Sequence, residues 1–157
     1  MKPLLRGIAF ALPALTAYLL VAPLACVYVD GRFGWNFGVP VWLRFASGIL
    51  MLAGTALAGW TLCLFAWVGQ GTPNPLAPPK LLVAAGPYRH SRNPMMLGGW
   101  LAGLGLGLAV GSPAYLGLCG FIVGMGCLYV HWIEEPKLLD RFGSAYRSYM
   151  EQTPRWG

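Results

Sequence analysis

Three long stretches of this chain contain no Lys, Arg, Asp or Glu, and no other feature constrains its fold as strongly. They lie at 7–29, within 45–80, and at 93–133. A helix that crosses the hydrocarbon core of a bilayer needs about 20 mainly apolar residues. Only 10% of the 157 residues are charged, whereas an average soluble domain has about 25%. We therefore predict an all-α, polytopic membrane protein, and we exclude a soluble globule or a doubly wound α/β enzyme.

The third stretch is too long for one helix and is interrupted by a turn sequence. Gly111, Ser112 and Pro113 are typical of a tight turn between two helices. The sequence thus predicts four transmembrane helices, at about 8–29, 45–69, 94–110 and 114–133. All 157 residues are expected to form a single integral membrane domain.

The basic residues are distributed unequally between the two sides of this predicted bundle. The side that holds both termini and the 70–93 loop carries Lys2, Arg6, Lys80, Arg89, Arg92, Lys137, Arg141, Arg147 and Arg155. The other side carries only Arg32 and Arg44. The positive-inside rule therefore predicts that both termini are cytoplasmic, and we expect the inner membrane of a prokaryote. The formal net charge of +6 then reflects orientation and contact with anionic membrane lipids, and does not indicate a nucleic-acid partner.

Glycines recur at helical spacing in the last two predicted spans. The row consists of Gly99, Gly103, Gly107 and Gly111, with Gly120 and Gly124 on the following span. Small residues four apart let helix backbones approach closely in a membrane, so we predict that these glycines lie at helix contacts. The overlapping Gly-x-Gly patterns leave nucleotide binding as the alternative, although no strand precedes them.

The four cysteines give no sign of a disulfide framework or a metal site. Cys26, Cys63, Cys119 and Cys127 all lie within predicted spans and form no Cys-x-x-Cys pair. We interpret them as small core residues, and we expect no metal ligands.

The loop before the third span has the composition of an anion-binding site. Arg89, His90 and Arg92 directly precede Asn93 and Pro94, which suit the N-cap and first position of a helix. The positive end of that helix and the three basic side chains would then face the same place. A solvated positive loop is the alternative interpretation.

Two carboxylates and a histidine end the fourth span. His131, Glu134 and Glu135 lie at its predicted cytoplasmic edge. The acids either face solvent or complement a cationic or hydroxyl-bearing ligand held against the arginine-rich loop. His131 is interpreted as an interfacial hydrogen-bonding residue, because no second His or Cys accompanies it as a metal ligand.

The C-terminal tail has an amphipathic pattern. Residues 136–151 place apolar side chains on one stripe of a helical wheel and charged side chains on the other. We predict one interfacial helix over this range, which serves either as a membrane anchor or as a lid over a site beneath it.

Two ordered motifs in the C-terminal half resemble those of a known superfamily. The first is the 82–98 segment, Leu-Val-Ala-Ala-Gly-Pro-Tyr-Arg-His-Ser-Arg-Asn-Pro-Met-Met-Leu-Gly. The second comprises Glu134-Glu135, Leu138, Phe142-Gly143, Tyr146, Tyr149 and Pro154-Arg155. Together they resemble the integral membrane methyltransferases of the isoprenylcysteine carboxyl methyltransferase and phospholipid methyltransferase superfamily.

The resemblance implies a cytoplasm-facing pocket for S-adenosylmethionine, formed by 80–96 and 131–155. The residues that it assigns to the cofactor are Lys80, Leu81, Leu82, Val83, Tyr88, Asn93, Pro94, Met95, Met96 and Glu134. We add His90, because the cations of the loop suit the carboxylate of the cofactor. Asn93 stands where the family often has His, and Met96 where it often has Tyr. The isoprenylcysteine enzymes also have an arginine shortly before the acidic pair, whereas this chain has Leu-Tyr-Val-His at 128–131.

The function predicted from these features is methyl transfer to a lipophilic acceptor that enters from the bilayer. We assign Glu135, Arg92 and His131 to catalysis, with Glu135 or His131 as the base for an amine acceptor. A carboxylate, an amine or a thiol remains open as the accepting group. Membrane sterol reductases carry a similar Arg-x-x-Arg-His-Pro segment, so an NADPH-dependent reductase is one alternative. A membrane subunit without enzymatic activity is the other.

Overall fold

The computed structural model describes residues 16–35, 37–72 and 78–157, and the secondary structure of this part is helical. A π-helical turn at Ala17–Val21 leads into α1 (Ala22–Phe33), followed by α2 (Val41–Trp67), a 3-10 helix at Gly86–Arg89 and α3 (Pro94–Val110). The chain continues with α4 (Pro113–Tyr129), a π-helical turn at Val130–Glu134, α5 (Glu135–Phe142) and α6 (Ser144–Gln152). The all-α prediction is confirmed. The predicted 8–29 span begins outside the described residues.

Two helical segments are long and apolar enough to cross a membrane, judged by length and composition. They are α2, with 27 residues, and the continuous segment Pro113–Phe142, with 30 residues. Helix α3 is apolar but shorter, and its bounds match the predicted 94–110 span. The predicted spans at 45–69, 94–110 and 114–133 therefore have counterparts in the described chain, and two of these helices meet the criterion of length and hydropathy.

Helices α2 and α3 pack closely against each other through glycines. A Cβ atom built on Gly98 would lie 2.7 Å from the backbone nitrogen of Ala58, and one on Gly54 would lie 2.5 Å from that of Ala102. Gly105 approaches Met51 in the same way, at 2.7 Å. These short approaches leave no room for a side chain, so the two backbones pack directly against each other.

This interface corrects the predicted glycine row. Gly99, Gly120 and Gly124 have no neighbour within 4 Å of a built Cβ in the described part of the chain, so the predicted contacts are not found there. Gly103 and Gly107 do face other helices, through Tyr18 and Leu116. The packing face of α3 passes through residue 98 and not 99, and a spacing of four alone does not reveal which face is in contact.

The cysteine prediction is likewise only partly correct. Cys119 is buried, as a core residue should be, whereas Cys63 is exposed on the outer face of α2. A small apolar side chain on a helix that could face lipid does not need to be buried in the protein.

The turn between α3 and α4 is held by a buried carboxylate from α1. Gly111 adopts the left-handed conformation with φ of 67°, and the hydroxyl of Ser112 donates to the carboxylate of Asp30. The backbone nitrogen of Ala114 also donates to Asp30, at 3.2 Å. Asp30 therefore binds the start of α4 and makes α3 and α4 antiparallel neighbours whose far ends meet at the candidate site.

The C-terminal helices differ from the prediction of one helix over 136–151. The fourth span continues without a break through the π-helical turn and α5 to Phe142. The break comes at Gly143, with φ of 55° and ψ of −126°, a conformation that only glycine adopts readily. Pro136 has no N–H to donate, and the helix passes through the π-helical turn just before it and continues.

Candidate functional site

The loop after α2 folds back against the end of that helix. Gly86 has φ of 58°, and the 3-10 helix that it begins turns Tyr88 inward, where 5% of its surface is exposed. The ring of Tyr88 meets the ring of Phe65 edge-on, with centroids 5.6 Å apart. The Gly-Pro-Tyr turn therefore anchors the loop to the core by an aromatic contact.

Helix α6 lies against this loop. The hydroxyl of Tyr149 donates to the backbone oxygen of Tyr88 at 2.6 Å, and the neighbouring Tyr146 is buried. Burial raises the pKa of Tyr149, so its hydroxyl keeps its proton and remains a donor at neutral pH. The apolar side of the tail thus packs on the 86–93 loop, which agrees with the lid interpretation of this segment.

A buried carboxylate joins the two sequence motifs. Glu135, at the start of α5, has an oxygen 2.7 Å from Nη1 of Arg92, just before α3. Arg155 binds both carboxylate oxygens, with its Nε 2.9 Å from Oε1 and its Nη2 2.7 Å from Oε2. Hydrogen bonding to Glu135 raises the pKa of Arg155. One carboxylate therefore holds the loop, the end of the fourth span and the C-terminal tail together.

Backbone hydrogen bonds fasten the tail to the same loop. The nitrogen of Arg92 donates to the oxygen of Pro154 at 3.0 Å. The carbonyl oxygen of Arg155 accepts from the Ser91 hydroxyl at 3.1 Å and from the Asn93 side chain at 3.2 Å. Asn93 occupies the N-cap position of α3, as predicted, but its side chain does not cap the helix because it binds the tail.

His131, the third predicted catalytic residue, and Glu134, the other acid of the pair, lie at the edge of this network. His131 is exposed, and its Nδ1 is 3.2 Å from Nη2 of Arg155. Glu134 is partly buried. Burial raises the pKa of Tyr88, and the charges of Tyr149 and Glu134 raise it further. Because Glu135 pairs with Arg92, the acidic pair lies beside the loop.

Arg92 has an unusual environment for a buried cation. Only 10% of its side chain is exposed, yet among the described residues no hydrogen bond reaches its Nε. Its Nη1 is close to Glu135, but the contact lacks the alignment of a hydrogen bond. Burial raises the pKa of the adjacent Tyr146, and Arg92 partly offsets that rise. A buried guanidinium with an unmade hydrogen bond has the capacity to bind a further acceptor.

The structure separates the other predicted cofactor residues into three groups. His90 and Pro94 line an open cavity of about 580 Å³ between α2 and the start of α3. Val83 is buried against the end of α2, beside Gly69, and the backbone nitrogens of Lys80 and Leu81 donate to the oxygen of Gly69. Leu82, Met95 and Met96 are partly exposed. Within the described chain, no hydrogen bond or ion pair connects 80–83 to the acidic pair.

Arg155 and Tyr149 are the residues that sequence reasoning did not assign to the site. Both belong to the second motif, and Arg155 falls within the predicted 131–155 segment. Charge and position alone do not distinguish Arg155 from Arg141 or Arg147. The spacing of the Pro154-Arg155 pair after the tyrosines was the available signal.

The comparison with known proteins covers the first motif and the beginning of the second. A family model described as phospholipid methyltransferase matches residues 43–145, which is more than half of the chain. The match extends from α2 to the start of α6 and includes the 86–93 loop and the acidic pair. No curated protein and no solved structure matches the chain. The chain belongs to the phospholipid methyltransferase family.

Proposed function

We propose that this protein transfers a methyl group from S-adenosylmethionine to a lipid that reaches the site from the bilayer. The observation that carries the proposal is the contact of Arg92 with Glu135. It joins the two motifs that, in the family, belong to one methyltransferase site. The methyl donor, the acceptor and the side of the membrane are parts of this proposal.

The polar groups around the junction suit the charges of the proposed cofactor. S-adenosylmethionine carries a carboxylate and an ammonium group, and when bound it supplies an electrophilic methyl group. The Nε of Arg92, which has no hydrogen-bond partner among the described residues, is suited to the carboxylate. Glu134, which no hydrogen bond or ion pair engages in the described part of the chain, is suited to the ammonium or a ribose hydroxyl. Tyr88 and Asn93 would form the part of the cofactor pocket that lies between Arg92 and Glu134.

The geometry favours a positioning role for Glu135 over the predicted role of base. Both of its oxygens bind guanidinium groups, so neither is free to accept a proton from an acceptor. His131 is exposed beside Arg155, and it is the remaining candidate base for an amine acceptor. Because methyl transfer is a direct displacement, positioning and exclusion of water account for most of the expected catalysis.

The proposed membrane placement follows from helix length and charge. We place four spans in the bilayer with the 86–93 loop and the C-terminal tail in the cytoplasm, since that side carries most of the basic residues. Reporter fusions at Gly157 should then be active only with cytoplasmic reporters. Activity of periplasmic reporters at that position would reverse the orientation.

Isothermal titration of the detergent-purified protein tests the function. S-adenosylhomocysteine should bind and NADPH should not. Binding of NADPH alone would favour a reductase, and binding of neither would favour a subunit without enzymatic activity. The Lys137→Gln variant changes an exposed charge outside the network and serves as the control for a nonspecific effect of charge.

A further inference from the structure

The cavity between α2 and the start of α3 is separate from the Glu135 junction. It has a volume of about 580 Å³, and its wall includes Arg89 and His90 from the loop, Trp60 and Leu57 from α2, and Trp156 from the tail. Neither Glu134 nor Glu135 lines it. A cavity with basic and apolar walls, but without these acids, suits an amphiphilic anion.

The basic side chains of the loop differ in whether a carboxylate is paired with them. Arg92 is paired with Glu135, whereas Arg89 and His90 are exposed at the cavity. Among the described residues, no hydrogen bond or ion pair engages the side chain of either one. Arg89 therefore presents its positive charge to whatever enters the cavity.

The wall of the cavity opposite Arg89 and His90 is part of α2, a helix long enough to cross a membrane. Trp60 and Leu57 lie on α2, and 56% of the Trp60 surface is exposed. The helix rises about 10 Å from Trp60 to its end at Trp67, and tryptophan is enriched near the ends of membrane-spanning helices. On the other side, Trp156 packs against Trp100 with ring centroids 4.8 Å apart, so this wall is fixed.

We infer that this cavity binds the phosphate group of the lipid that accepts the methyl group, through Arg89 and His90, with the acyl chains lying along Leu57 and Trp60. This inference rests on the proposed function and adds to it the feature by which the acceptor is selected. The guanidinium group offers paired donors that match phosphate oxygens. Pro94, which begins α3 next to Asn93, also lines the cavity, so the lipid headgroup would lie beside the proposed cofactor residues.

Binding of a short-chain phosphatidylethanolamine to the detergent-purified protein tests the inference. Arg89→Gln should weaken this binding about tenfold, as expected for the loss of one charge-assisted hydrogen bond, and Arg89→Lys should restore part of it. An amine amphiphile with the same chains but no phosphate should bind weakly and equally to all variants. Inorganic phosphate alone should bind poorly, since it has no chains to contact α2.

The control is Arg147→Gln, which removes an exposed arginine of α6 that does not line the cavity. Equal losses for Arg89→Gln and Arg147→Gln would overturn the inference, because general attraction between charges would then explain the binding. Equal affinity of the protein for the two amphiphiles would also overturn it. S-adenosylhomocysteine binding is measured on each variant and should not change. If the unmodified protein fails to bind S-adenosylhomocysteine but the lipid still depends on Arg89, the proposed function fails and the phosphate site remains.

Discussion

Nη1 of Arg92 lies 2.7 Å from Oε1 of Glu135, although Arg92 precedes α3 and Glu135 follows the fourth predicted span. Helices α3 and α4 run antiparallel, so the ends that carry these residues meet on one side of the bundle. The contact is buried, with 10% and 6% of the two side chains exposed. An isolated buried charge is costly, so the pairing of Arg92 with Glu135 favours folding of the loop together with the helix end.

Glu135→Gln should therefore destabilise the protein strongly. The change leaves Arg92 buried without a counter-charge and removes the bidentate partner of Arg155. Breaking a buried ion pair from one side costs about 3–5 kcal/mol, which a denaturant titration in detergent can measure. Glu151→Gln changes an exposed carboxylate and should leave the unfolding free energy nearly unchanged. Equal effects of the two variants would mean that the Glu135 junction contributes nothing specific.

Tyr149→Phe should loosen the contact between α6 and the loop. The hydroxyl of Tyr149 is bonded to the backbone oxygen of Tyr88, and leaving a buried acceptor unsatisfied costs about 1–3 kcal/mol. We expect faster amide hydrogen exchange in the 86–93 loop as well as a lower free energy of unfolding. Unchanged exchange in that loop would contradict the lid interpretation.

The same residue predicts a pH dependence of stability. Burial raises the pKa of Tyr149 above its ordinary value of 10.0, so the folded state favours the protonated phenol. Its contribution is fully present below pH of about 10 and is lost as pH rises through the raised pKa, because the unfolded chain loses its proton first. Thermal unfolding from pH 8 to 11 should show this loss, and the loss should be smaller in Tyr149→Phe. Tyr88 and Tyr146, whose pKa values burial also raises, remain in both proteins and contribute to the rest of the loss.

Sequence reasoning located the helices well because apolar length and turn residues are local signals. The bounds of α3 and the turn at Gly111 followed from composition alone. The break at Gly143 did not, since the amphipathic pattern continues across it and only the positive φ reveals it. The face of α3 that packs on α2 also needs the third dimension, because Gly98 and Gly99 are neighbours in sequence and point in different directions.

The residues of the site were predictable only in part, because sequence patterns identify segments but not the directions of their side chains. Both motifs were recognisable as segments, but which cation pairs with which acid depends on side-chain direction. Arg92 is turned toward Glu135 and Arg89 toward the cavity, although only two residues lie between them. Asn93 has the composition of a cap, yet its side chain binds the tail, because a partner distant in sequence competes with the local one.

Substitution of adjacent glycines tests the packing of α2 on α3. Gly98→Ala should destabilise the protein by about 1–3 kcal/mol, the usual cost of overpacking, because the new Cβ would lie 2.7 Å from the backbone of Ala58. Gly99→Ala should stabilise it by about 0.5–1 kcal/mol through reduced chain entropy in a helix, since nothing in the described chain lies within 4 Å of that position. The two unfolding free energies, measured in the same detergent, should thus change in opposite directions. Changes of the same sign would mean that the assigned contact face is wrong.

The assignment of Glu134 to the cofactor gives the last prediction. Glu134 is partly buried and electrostatically close to Tyr88, while the adjacent Glu135 is engaged by arginines. Glu134→Gln removes the charge but keeps the shape, and it should weaken S-adenosylhomocysteine binding by about 1.5–3 kcal/mol, the range for a hydrogen bond to a charged group. Isothermal titration gives this value directly, and Glu151→Gln controls for loss of an acid on the tail. Because Glu134 makes no ion pair in the described part of the chain, the variant should keep its unfolding free energy within about 0.5 kcal/mol. An unchanged affinity in that stable variant would mean that Glu134 faces solvent and that the ammonium group of the cofactor is bound elsewhere.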